Sequence, residues 1–172
     1  GSAVRLSVIR DNAADPIDLA VIRGSDRSAN VSGRILSPGV GYLRITEFDD
    51  DTIRAIESTT DTLKQQGTER LLIDLRNTAV GSFRTGIAAA ALFTDADTLV
   101  IRETSSAQEP FSGTSQPATI GWPVVLVTNQ GTAGAAELFA AALADNDRAE
   151  SVGLRTAGRA AEQTLVELPE GG

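Results

Sequence analysis

Apolar residues alternate with polar ones from the start of the chain: Val4, Leu6 and Val8 in AVRLSVIR, then Ile17, Leu19 and Val21 in IDLAVIR. A period of two is that of a half-buried strand. The turn-forming cluster at residues 11–16 lies between the two runs and predicts a β-hairpin. Residues 24–33 (GSDRSANVSG) are small and polar, the composition of a linker. Residues 41–48 (GYLRITEF) read as the next strand, followed by Asp49, Asp50 and Asp51 at a helix start. Negative side chains are favoured there because the exposed amides and the macrodipole leave positive charge. Ile53, Ile56, Thr60 and Leu63 then recur at helical spacing, and Gly67 supplies the stop.

The pattern changes at residues 71–75 (LLIDL) and 124–128 (VVLVT), which are short and nearly continuous apolar runs. Such runs predict strands covered on both faces, as in parallel sheets. Residues 85–93 and 133–144 are helical in composition, 98–102 and 164–168 read as strands, and 105–120 read as a loop with two prolines and several serines. Strands and helices alternating at this spacing predict an α/β core with crossover connections.

Composition narrows the chemistry. The 172 residues are enough for one domain, or one domain plus a fragment. Aromatics make up only 4%, so aliphatic side chains and alanine must supply the packing. No apolar run approaches the ~20 residues that cross a bilayer, and no signal-peptide pattern is present. There is no methionine even at position 1, so the chain reads as an excised or processed piece of a longer protein, with Gly1 and Ser2 native or a cloning scar. The net charge of −8 and the absence of a basic stripe exclude a nucleic-acid partner of the ordinary kind. Without cysteine there is no disulfide or thiolate, and without histidine there is no Ser-His-Asp triad. Metal and cofactor are not implied, since Asp49, Asp50 and Asp51 lack the spacing of a calcium loop. Lys64 is the one lysine beside fourteen arginines, hence the one lysine available to a Ser-Lys dyad.

Four segments, taken in order, carry a resemblance. They are GYLRITEFDDDT at 41–52, LLIDLRNTAVGS at 71–82, VVLVTNQGTAGAAEL at 124–138 and VGLRTAGRAAEQTLVELP at 152–169. Together they resemble the C-terminal processing (tail-specific) serine peptidases, a family with a Ser-Lys dyad. The resemblance implies a Clp protease/crotonase-like peptidase core of mixed sheet and crossover helices over residues 33–172, truncated at its C-terminus. Residues 1–32 would be the terminal hairpin of a preceding PDZ-like domain plus a linker.

Carried over by position, the resemblance puts the nucleophile at Gly134 and the base at Arg159, so neither reactive side chain is present. The glutamine that steadies the lysine falls on Gln163 and is retained, and the oxyanion hole falls on the backbone amides of Gly81 and Ala135. The loop reads Ala79-Val80-Gly81 where the family has Pro-Gly-Gly, and a side chain at Val80 restricts the backbone freedom that glycine gives. A dyad needs a desolvated lysine that loses its proton near neutral pH. Arginine stays protonated in proteins, and glycine has no hydroxyl.

Other residues have competing readings. Thr132 is a substitute nucleophile or a helix-entry or N-cap threonine; Lys64 is a base or a solvated charge at a helix C-terminus. Ser82, Ser112 and Ser115 have no identifiable partner base. Asp74 and Arg76 pair or simply end a strand. Arg159 is a fork for a carboxylate if buried beside Gln163, or an exposed loop arginine. The expected function is that of a catalytically inactive relative of these peptidases, keeping the binding of extended peptides or protein C-termini by strand addition. The alternatives are a fragment or altered form of an active endopeptidase, and a small-molecule or lipid binding module on the same core. The resemblance implies a bacterial periplasmic or envelope location.

Overall fold

The computed structural model describes residues 2–9, 16–22, 29–112 and 117–161. Two strands, β1 (Ala3–Val8) and β2 (Ile17–Ile22), form the expected antiparallel hairpin, from Ala3 opposite Ile22 to Val8 opposite Ile17. Its ladder is a sheet of its own, and Leu6, Ile17, Leu19 and Val21 are exposed.

A five-stranded sheet organises the rest. Its strands are β3 (Val31–Ser37), β4 (Val40–Ile45), β6 (Arg70–Asp74), β10 (Val124–Thr128) and β11 (Ala149–Gly153), in spatial order β11-β10-β6-β4-β3. β4, β6, β10 and β11 are parallel, and β3 returns antiparallel to β4. Parallel neighbours need a crossover, supplied by helix α1 (Thr52–Gln65) from β4 to β6 and helix α3 (Ala135–Asp145) from β10 to β11. Between β6 and β10 the chain makes β7 (Val80–Gly81), helix α2 (Phe83–Ala90), and the hairpin β8 (Val100–Glu103) and β9 (Gln108–Phe111). β7 pairs in parallel with β5 (Glu47–Phe48).

Register explains the core. Leu43, Ile73 and Leu126 stand in one row across the sheet and are fully buried. They join Ile56 and Leu63 of α1 and Phe139 and Leu143 of α3 in one cluster. Phe139 packs its ring 5.5 Å from that of Phe48 and 5.7 Å from that of Phe93. The neighbouring rows, Tyr42–Leu72–Val125 and Arg44–Asp74–Val127, point to the opposite face, where all but Asp74 are only half-buried.

Several expectations are corrected here. β6 and β10 are apolar on both faces but fully covered on one among the described residues. The 24–33 linker ends earlier than its composition suggests: Val31 already pairs with Ile45, so β3 and the core sheet begin inside it. The strand expected at 98–102 lies outside the main sheet, in the β8–β9 hairpin, which occupies part of the 105–120 loop. The 164–168 strand and part of the turn at 11–16 lie outside the described residues.

Candidate active site

The β6–β7, β10–α3 and post-β11 connections meet at the C-terminal ends of their strands, the side where open parallel sheets hold their sites. Hydrogen bonds lace them together. Asn77 N–H donates to Asn129 Oδ1 (2.9 Å) and Asn129 Nδ2 to Asn77 Oδ1 (3.0 Å). Ala133 N–H donates to Thr78 O and Ala157 N–H to Thr132 O, both at 2.9 Å. Thr132 is fully buried; its hydroxyl donates to Leu75 O (2.8 Å) and accepts from Asn129 N–H (3.1 Å). It is a loop tie rather than a nucleophile, and it is not the helix cap, because Gly134 is.

Gly134 sits at a sharp strand-to-helix turn with φ 60° and ψ −119°. Side chains with a Cβ rarely adopt this backbone, so glycine carries the turn without strain. A Cβ here would stand 3.4 Å from Phe83 Cε1 and 3.9 Å from Ala79 O, so the turn has room for a small side chain and abuts the 79–81 loop. Ala135 opens α3, and its amide is one of the first-turn N–H groups without an intrahelical acceptor. Gly81 has φ 140° and leaves no space for a side chain: a Cβ would lie 2.5 Å from Phe48 O. The β5–β7 ladder fixes the loop in this shape, with Val80 projecting at 60% exposure.

Glu137 is the site residue that the sequence reading missed. It is buried, and its carboxylate accepts from Gly134 N–H (3.0 Å), Gly158 N–H (2.5 Å) and Arg159 N–H (2.8 Å), with the Thr156 hydroxyl as a fourth partner. Burial pushes its pKa up, but the Thr156 hydroxyl and the three amides outweigh burial and hold it below the usual range. Its signal was present in the sequence: a glutamate three residues after the helix-opening glycine is half of a capping box.

The remaining candidates divide clearly. Arg159 meets Glu137 through its backbone N–H, and its side chain is exposed, so the buried-fork reading does not hold. Gln163 and Ser115 lie outside the described residues. Ser82 is the N-cap residue of α2, Ser112 is exposed, and Lys64 is exposed in the last turn of α1. That turn precedes the start of β6, so Lys64 is at the opposite end of a five-residue strand from Gly134, a length of about 16 Å.

Asp74 and Arg76 do pair: Nε donates to Oδ1 (3.0 Å) and Nη2 to Oδ2 (2.7 Å), while Tyr42 Oη donates to Oδ2 (2.8 Å). Burial raises the Asp74 pKa, but Arg76 and Tyr42 overcome it and lower it to about 2. A cavity of about 570 Å³ is lined by apolar Phe83, Phe111 and Leu138 and by charged Arg84, Arg102 and Glu103, and Phe83 also borders Gly134.

The sequence model of peptidase family S41 matches residues 39–172. The chain belongs to peptidase family S41. A carboxyl-terminal-processing protease of Picosynechococcus sp. is 39% identical over 133 residues, 77% of this chain and 32% of that protein. The chloroplastic C-terminal processing peptidase of Tetradesmus obliquus is 32% identical over 149 residues, 83% of this chain and 32% of the peptidase. The solved photosystem II D1 C-terminal processing protease superposes with a TM-score of 0.75 at 29% identity, over 99% of this chain and 48% of that one. The chain thus spans about a third of the length of these curated relatives. The S41 match bears out the α/β core of mixed sheet and crossover helices. The family's relatives include bacterial and chloroplast proteins, and among the described residues no helix is long and apolar enough to cross a membrane.

Proposed function

We propose that this chain is a catalytically inactive member of peptidase family S41 that holds extended peptides or protein C-termini without cutting them. One observation carries the reading: Gly134, at the nucleophile position, offers no hydroxyl, and the nearby segment from Thr156 to Arg159 brings a guanidinium in place of a titratable amine. Among the described residues no substitute stands at the site. Thr132 is tied to Leu75, and Lys64 is at the far end of the sheet. The framework around the gap is nonetheless kept. The first amide of α3, at Ala135, and the paired loop at Gly81 offer donors for a peptide carbonyl. The cavity beside Phe83 and Leu138, with mixed apolar and charged walls, has room for a side chain of the same peptide.

On this reading the opening hairpin is the end of a PDZ-like unit, and the boundary expected after residue 32 moves ahead of Val31, where core strand β3 begins. The bacterial relatives and the family resemblance support a periplasmic or envelope location. The short coverage of the relatives favours a second reading, that the chain is an altered piece of an active endopeptidase; sequencing the parent gene at positions 134 and 159 separates the two. Isothermal titration against a library of peptides with free C-termini tests the first. Saturable binding is expected, and no binding by any member overturns it.

A further inference from the structure

We propose that Arg44 is a positioning residue for this site: its guanidinium sets the loop at residues 75–81 against the entry of α3. Arg44 lies on β4, on the sheet face away from the helices, in the same row as Asp74. Its partners are three backbone carbonyls and a hydroxyl. Nη1 donates to Ile45 O (2.6 Å), Asp74 O (2.8 Å) and Thr78 Oγ1 (2.9 Å), and Nη2 donates to Arg76 O (2.6 Å). Three of these four acceptors belong to the β6–β7 connection or its root.

Thr78 passes the constraint on. Its hydroxyl donates to Ile45 O (2.6 Å), and its carbonyl accepts the Ala133 N–H (2.9 Å), one residue before Gly134. A continuous hydrogen-bonded path therefore runs from β4 through the loop to the turn that opens α3. Three acceptors gather around Nη1, whose two N–H groups are shared among them, and the fourth, Arg76 O, is met by Nη2, a second donor atom that an ammonium does not have. The neighbouring carboxylate of Asp74 is taken by Tyr42 and Arg76, so Arg44 is left to the loop backbone. A site of this kind needs its donors held to within about 0.5 Å, which loops achieve only through such supporting contacts.

The effect on ligand rests on the peptide-binding reading; the effect on the loop does not. Hydrogen exchange on Arg44→Met and Arg44→Lys, alongside peptide titration, tests both. In Arg44→Met the amides of Asn77, Thr78 and Ala133 are expected to exchange at least about tenfold faster, since losing one hydrogen bond to a charged group is worth that factor. The amide of Leu71, bonded to Pro123 O at the far end of β6, should keep its rate. Peptide affinity should fall in parallel, and Arg44→Lys should recover part of both effects. Uniform loss of protection across loop and sheet would mean a merely structural role and overturn the proposal, as would unchanged loop rates. If Arg44→Met does not fold, Arg44→Lys decides: loop protection equal to wild type overturns the claim. If the wild type binds no peptide, the functional reading fails while the exchange data still decide the role of Arg44.

Discussion

At position 134 the absence of a side chain has two consequences. On the proposed reading it leaves no hydroxyl for attack, and it relieves a backbone at φ 60° and ψ −119° that any L-residue with a Cβ strains to adopt. Gly134→Ala should therefore cost about 1–3 kcal/mol in chemical denaturation, even though the space around the new Cβ is adequate. Glu137 works in the other direction. It ties the first turn of α3 to Gly158 and Arg159, and each hydrogen bond to a charged group contributes about 1.5–3 kcal/mol. Glu137→Gln leaves fewer acceptor sites for the same donors, and a loss of about 3 kcal/mol is expected.

Both lowered carboxylates have the same pH sign. The stability from Glu137 and Asp74 is fully present above their unfolded pKa values, about 4.3 and about 3.9. It is lost as pH falls through the lowered folded values, for Asp74 between about 4 and about 2. Acid titration of the midpoint should show this loss, and Asp74→Asn should flatten it.

Elements differed in how plainly the sequence announced them. β4, β6, β10, α1 and α3 carry an apolar row that must face the core, and each was legible from period or run length. Edge and satellite strands carry less. In β3 most residues are exposed, in β11 Glu150 and Ser151 are, and β9 is exposed apart from half-buried Phe111. Pairing, not burial, makes them strands, and pairing leaves no alternation to read. The two-residue β7 is invisible for the same reason, although Gly81 marks it once the backbone of Phe48 is known to lie beneath. Gly81→Ala should break the β5–β7 ladder by clash, seen as faster exchange of the Ser82 amide, which donates to Phe48 O. Phe139→Ala, removing the ring shared by Phe48 and Phe93, should cost about 3–5 kcal/mol.

Across the whole molecule, the fold is that of peptidase family S41, with the β6–β7, β10–α3 and post-β11 connections gathered at the strand ends. Gly134, Arg159 and Gly81 stand out in the sequence through the motifs that carry them, and their proposed roles rest on that resemblance. Glu137 and Arg44 were not singled out, because their importance lies in backbone partners far along the chain. The most direct measurement is intact-mass analysis of the tightest-binding peptide, held at saturation with purified protein over a day. The account predicts a complex with uncut peptide. Cleavage that disappears when residue 134 or 159 is substituted would contradict it.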